Sequence, residues 1–277
     1  MLKRRYRKNN FGRVKEILKM ISPRLKEFVR AMSLEGMALS PAPPLGGDAK
    51  VSAGFSIEDV ADCYRISGME YRNRICQIDL SKALLPSGTQ EEHAQRRKQA
   101  LSNNDFYTTD FPLFHGVINA LYQNREGPFK SQIESARASL SGLMNGKWLM
   151  TLTRIRYAPT GQDSVIHNYK QDDQYEVAVD FVGPDGFITK QETNAAPALQ
   201  ALLSTQQSPQ EIDQVYKWLR SKDAYLWRVN SRPEAMVERV ARFDADSDWA
   251  GFSCSGGPLY SDAAFGVRLC AAGAPKK

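Results

Sequence analysis

Few side chains in this chain have a type and spacing that could do chemistry. The three histidines, His93, His115 and His167, form no H-x-x-H pair. There is no G-x-S-x-G elbow, no Walker loop and no G-x-G-x-x-G turn. Asp244, Asp246 and Asp248 alternate as the first ligands of a calcium loop do, but the Gly at the sixth position and the distal Glu are missing. Cys63, Cys76, Cys254 and Cys270 show neither C-x-x-C spacing nor a nearby His pair, so zinc is not expected and buried thiols are the default. Whether Cys254 and Cys270 meet is left open by spacing alone. No catalytic residue, metal or cofactor is therefore expected, and the expectation is a non-enzymatic protein.

A different chemistry is concentrated near the end. Between the apolar–basic alternation Arg239-Val240-Ala241-Arg242-Phe243 and the short run Ala264–Leu269 lie about twenty residues rich in Asp, Ser, Gly and aromatics. The two flanks suit strands. The segment between them has no clear period and reads as a long loop, and long loops in compact domains are usually functional or disordered. Trp249, Phe252 and Tyr260 argue against disorder, since disordered tracts are poor in aromatics. Aromatic side chains give contact area at low entropic cost, while Ser and Asp give adaptable hydrogen bonds, which is how paratopes are built. From Val240 to Pro275 there is no Lys, Glu, Gln or Met.

The elements that must hold this segment read as follows. Ser56 with Asp59 three residues on suggests a capped helix through Val60, Cys63 and Tyr64, and a second helix follows Gly68 through Tyr71, Ile75 and Ile78. That pair, with Arg72 and Arg74, also has a helix-turn-helix outline. Helices are expected over Glu91–Leu101, Phe106–Tyr122 and Phe129–Met144, then strands at Trp148–Tyr157, Val165–Tyr169 and Tyr175–Phe181. Two helices, Ala196–Leu203 and one opened by Ser208-Pro209-Gln210-Glu211, precede a strand at Tyr225–Asn230. His115 lies beside an apolar helical face and reads as a packed residue.

Composition is that of a globular protein, 42% hydrophobic and 25% charged, with no run long enough for a membrane span and no apolar signal-peptide core; a cytoplasmic or virion-associated protein is expected. Of the net charge of +6, residues 1–30 supply +9 through eleven Lys/Arg and two Glu, leaving −3 for the rest. An amphipathic period there, through Val14, Ile17, Leu18 and Ile21, allows either helices docking on the body or on another subunit, or an element for nucleic acid or a membrane surface. Three prolines and paired glycines in 38–54 mark a boundary. The expected organisation is a basic helical segment and linker over 1–50, a mainly helical region over 51–127 and a ligand-binding domain over 128–277, α+β in class.

The pattern R-V-x-R, a polar loop, a Cys, a Pro and A-x-G-V-R-L resembles the end of C-type lectin folds of the formylglycine-generating-enzyme kind, and especially the variable proteins of diversity-generating retroelements. The resemblance covers roughly 224–270. It implies a C-type lectin-like fold at the C-terminal end. It also implies a hypervariable surface rewritten through adenines, at codons that cannot become Lys, Glu, Gln, Met or Trp. Trp249 departs from that rule. The resemblance implies scaffold roles for residues including Arg239, Val240, Arg242, Phe243, Cys254, Pro258 and Gly266. It implies solvent-facing ligand contacts at Asp244, Asp246, Asp248, Phe252, Ser253, Ser255, Leu259, Tyr260, Asp262 and Phe265, and Trp249 joins them by its chemistry. The implied partner is a protein or glycan surface. Formylglycine-generating chemistry is not implied, because Cys254 and Cys270 do not sit in a matching motif. The alternative reading is a nucleic-acid-associated protein using residues 1–80.

Overall fold

The computed structural model describes residues 54–245 and 248–275. The basic segment 1–30 and the linker lie outside these residues. The described chain begins with strands: β1 (Ser56–Asp59), β2 (Cys63–Tyr71) and β3 (Arg74–Gly88) form an antiparallel meander. This overturns the expected helices and helix-turn-helix over 56–78. Tyr64 and Ile66 on β2, and Cys76, Ile78 and Leu80 on β3, point inward at a period of two. The alternation is hidden in the sequence because a bulge at Gly68 shifts its phase between Ser67 and Met69. Gly68 has φ +75°, and a Cβ there would lie 2.5 Å from the Gly54 carbonyl oxygen, so only glycine fits. Arg72 and Asn73, expected on a helix, are the two turn residues of the β2–β3 hairpin, with φ +52° and +58°.

Three helices follow: α1 (Gln90–Asn103), α2 (Phe111–Gln123) and α3 (Lys130–Met144). A Thr89–Glu92 capping box starts α1, and Asp110 caps α2 by accepting from the Leu113 N–H, with Pro112 in the first turn. Strands β4 (Lys147–Tyr157), β5 (Asp163–His167), β6 (Tyr175–Val179) and β7 (Gly186–Phe187) precede α4 (Ala196–Leu203) and α5 (Pro209–Arg220). A Ser208–Glu211 capping box opens α5. The chain then runs through β8 (Ala224–Trp227), β9 (Val237–Ala245), β10 (Ala250–Gly256) and β11 (Asp262–Pro275). β10 occupies the segment expected to be an irregular loop.

All eleven strands belong to one mixed sheet, ordered β1-β2-β3-β11-β4-β9-β10-β8-β7, with β5 and β6 alongside β4. The pairs β11–β4 and β10–β8 are parallel and the others antiparallel. The expected fold class is therefore corrected. The described chain is roughly α+β, but strands dominate it and its five α-helices fall after β3, so no mainly helical region precedes a separate C-type lectin-like domain. β3 and β11 pair from Asp262–Gly88 to Pro275–Arg74, and this seam joins residues on both sides of the boundary expected at 127/128. The described residues all fall in one compact unit. No helix among the described residues is long and apolar enough to cross a membrane.

β4 changes neighbour midway, from β11 at Leu149–Met150 to β5 at Arg154–Arg156. The pairing of β4 with β9 is interrupted over the same residues, between Met150 and Arg154, and buried polar groups need partners. Gln90 Nε2 donates to the Thr151 and Thr153 carbonyls, and the Leu152 N–H donates to the Thr109 carbonyl. The Tyr169 N–H completes the set at the Leu152 carbonyl. The α1 start, the residues before α2 and the β5 exit are thereby fixed to the middle of the sheet. The core is aromatic at its centre: Phe111 lies 4.2 Å from Phe243 between ring centroids, Phe114 5.6 Å from Phe265 and Tyr216 4.7 Å from Phe252.

Candidate ligand-binding face

Strand registers across β4, β9, β10, β8 and β7 decide which side chains share a face, because alternate residues of a strand point to opposite sides. One row runs Leu149, Phe243, Phe252, Leu226 and meets the helices; all four are buried. The adjoining rows point the other way. The first is Trp148, Asp244, Gly251, Tyr225 and Phe187; the second is Met150, Arg242, Ser253 and Trp227.

This outer face is covered largely by its own aromatic side chains. Gly251 supplies the bed for one of them: a Cβ there would come within 3.2 Å of Trp249 Cδ1 and 2.7 Å of the Asp244 carbonyl oxygen. Trp249 lies over that space, 5.3 Å from Tyr225 and 5.7 Å from Trp227, and Tyr225 continues the run to Phe187 at 5.2 Å. Such tilted and edge-on pairs add to the area they bury. At the other end the Arg242 guanidinium sits 4.0 Å from the centre of Trp148 and 5.2 Å from that of Tyr260. Its Nη1 donates to Asp262 Oδ2 at 2.7 Å. Gly256 lies against it, so that any Cβ there would run into the guanidinium. Arg242 is 2% exposed, whereas Trp148 is 46%, Tyr260 57% and Leu259 88% exposed.

The face thus gathers part of the expected site and separates the rest. Asp244 and Ser253 belong to it but lie buried beneath the aromatic layer, and the expectation that they face solvent is corrected. Trp249 is half-buried within the layer, Asp262 is half-buried on Arg242, and Asp248, Ser255, Leu259 and Tyr260 are exposed. Phe252 and Phe265 are corrected outright: the strand alternation sends both into the core, onto Phe111 and Phe114 respectively. Asp246 lies outside the described residues. Sequence reasoning missed Trp148, Tyr225, Trp227 and Phe187, and gave Arg242 only a scaffold role. The available signal was the Tyr225-x-Trp227 alternation beside a second alternation, Arg242-x-Asp244.

Three side chains in the second row keep buried polar atoms without a hydrogen-bond partner: Arg242 at Nε and Nη2, Ser253 at Oγ and Trp227, itself half-buried, at Nε1. Native proteins leave few such atoms. Here they are neighbours on one face, with the exposed rings of Trp148 and Tyr260 against Arg242.

The histidines are placed as structural groups. His115 faces Tyr216 Oη with Nδ1 (3.3 Å) and Gln207 Oε1 with Nε2 (2.8 Å), and burial lowers its pKa to about 4. His167 faces Thr153 Oγ1 and the Ala201 carbonyl, and burial lowers it likewise to about 4. His93 lies 2.9 Å from the Asp262 carbonyl, and burial lowers its pKa. None of these contacts is with a carboxylate. Asp110 is the acid most affected: burial pushes it up to about 6, against the Tyr71 hydroxyl and the Leu113 N–H that donate to it. Cys63, Cys76 and Cys254 are buried free thiols. Among the described residues no three His, Cys, Asp or Glu gather as metal ligands do.

No protein-family model matches the chain, and neither a curated protein nor a solved structure matches it.

Proposed function

We propose that this chain is a non-enzymatic ligand-binding protein, and that the outer face of β4, β9, β10 and β8 receives a protein or glycan surface. The observation that carries the reading is the pair of exposed rings, Trp148 and Tyr260, set on a desolvated arginine. Large aromatic side chains on a rigid sheet are the anchors recognition surfaces use, and an arginine already stripped of water adds no further desolvation cost when covered. The retroelement part of the reading rests on the absence of Lys, Glu, Gln and Met from 240–275. Within it, the contact positions among the described residues reduce to Asp248, Trp249, Ser255, Leu259, Tyr260 and Asp262.

The binding test is a screen of glycan and displayed-protein libraries with the full chain, followed by Trp148→Ser and Tyr260→Ser. Retention of affinity for every selected ligand in both variants would dismiss the face as the site. The diversification test is genomic: a reverse-transcriptase gene beside a near-copy of the segment encoding 240–275, differing at adenines. Without both, diversification is dropped while the binding reading stands.

A further inference from the structure

A cleft of about 480 Å³ opens elsewhere in the molecule, between the β2–β3 hairpin, α2, Tyr175 on β6 and the end of α4. Its size is that of a small-molecule site. Two tyrosines form walls that are held in place. The Tyr71 hydroxyl donates to Asp110 Oδ2 at 2.8 Å and accepts from Asn168 Nδ2 at 3.1 Å. The Tyr175 hydroxyl is 3.0 Å from Ser204 Oγ, and the Arg72 guanidinium lies 4.6 Å over its ring. Side chains fixed in this way preorganise a site.

Arg72 itself points to a role. Asn73 tolerates its positive φ and Ser204 is a helix C-cap, but Arg72 at φ +52° occupies a conformation that strains an ordinary side chain. Glycine would occupy that turn position without strain. What the arginine adds is the cation over Tyr175 and donation to the Asp173 carbonyl (3.3 Å) and Oδ2 (3.4 Å).

The lining chemistry selects the ligand. Arg72 is the one Lys or Arg among the lining residues; it shares Asp173 with Arg97, and Glu70 lines the cleft as well, so the lining carries no net positive charge to hold an anion. His115 has both ring nitrogens within hydrogen-bond distance of its own chain. Much of the remaining rim is neutral and hydrogen-bonding: Asn73, Asn119, Ser204, Thr205 and Gln206. An apolar ligand would strand these amides and hydroxyls. We infer that the cleft binds a small neutral polyol of one or two sugar rings, at a site separate from the outer aromatic face. Amides and hydroxyls match vicinal hydroxyls because each donates and accepts. A site built to pair hydroxyls rejects analogues that lack them.

The test is saturation-transfer NMR and calorimetry on the full chain with glucose, galactose, mannose and N-acetylglucosamine, and with glucuronate as the anionic control. At least one neutral sugar binds, and more tightly than glucuronate. Asn119→Leu weakens it by about tenfold or more, as loss of a paired polar group does. Arg72→Gly weakens it too while keeping the melting temperature, since the substitution relieves the turn, and so separates loss of the site from loss of the fold. Trp148→Ser, on the other face, leaves the affinity unchanged. Absence of binding by all four sugars at tens of millimolar, tighter binding of glucuronate, or loss of binding in Trp148→Ser would each overturn the inference. The first two outcomes leave the outer-face reading untouched.

Discussion

The two faces of the sheet at β4, β9, β10 and β8 are made from alternating residues of the same strands, yet they differ in kind. The helix-covered face is Phe243, Phe252 and Leu226 packed on Phe111 and Tyr216. The outer face is Trp, Tyr, Arg, Asp and Ser, partly exposed and with unpartnered polar atoms. Plain hydrocarbon rings serve where water is excluded for good. Rings with an N–H or O–H serve where one side is to meet something else. The difference lies in which aromatic types are used, since both faces are rich in rings.

The contrast is broken most severely from the core side. Phe252→Ala is expected to cost about 3–5 kcal/mol, the range for deleting a buried phenyl ring, read by denaturant unfolding. If the loss is no greater than for an exposed residue, the assignment of Phe252 to the core is wrong.

Acid is the next lever, again on the core side. His115 and His167 titrate near 4 in the fold against 6.5 unfolded. Their contribution is therefore present above pH 6.5 and is lost as pH falls from 6.5 towards 4, on the order of 2–3 kcal/mol for each. Asp110 opposes this. With a folded value near 6 against 3.8, the fold takes up a proton before the unfolded chain does and gains relative stability as pH falls through 6. Asp110→Asn keeps the helix cap and removes the opposing gain, so its stability declines more steeply between pH 6.5 and 4 than that of the parent. Equal slopes in chemical denaturation across that window would remove Asp110 from this role.

Gly251→Ala sharpens the comparison from the outer side. Its methyl meets the Asp244 backbone and Trp249, for a loss of about 1–3 kcal/mol together with a shift in tryptophan emission. An unchanged spectrum would mean that Trp249 does not lie on Gly251. The smallest expected effect is Trp148→Ser or Tyr260→Ser, each within about 0.5 kcal/mol in stability, with the binding lost. A large stability loss there would make these rings structural.

How legible this was can be followed through particular residues. The helices with caps were readable, because Ser208 with Glu211 and the Pro at the first helical position state their ends locally. β4 was readable from a long apolar run. β2 and β3 were not: Gly68 breaks the alternation, and Ser56-x-x-Asp59 mimics a cap although it lies in β1. β10 was hidden by composition, since Ala250, Phe252 and Cys254 alternate correctly among Gly and Ser, types that strands rarely favour. That oversight is why Phe252 was expected outside. Once its strand and neighbours are known, its direction follows by parity alone. Trp148 and Trp227 could not have been joined to the site from sequence, because their adjacency to Arg242 and Ser253 depends on the pairing of β4 with β9 and of β8 with β10, segments distant in the chain.

β11 lies between β3 and β4 in the strand order, so the sheet's midline is filled by the last strand of the described chain. During synthesis the hairpin strands and the block around β4 must wait, each with an open backbone edge, until β11 leaves the ribosome. Such edges invite pairing with other chains. Cells making this protein therefore carry their greatest aggregation hazard in nascent chains that have not yet added β11, and removing β11 would leave two half-sheets that never close on each other.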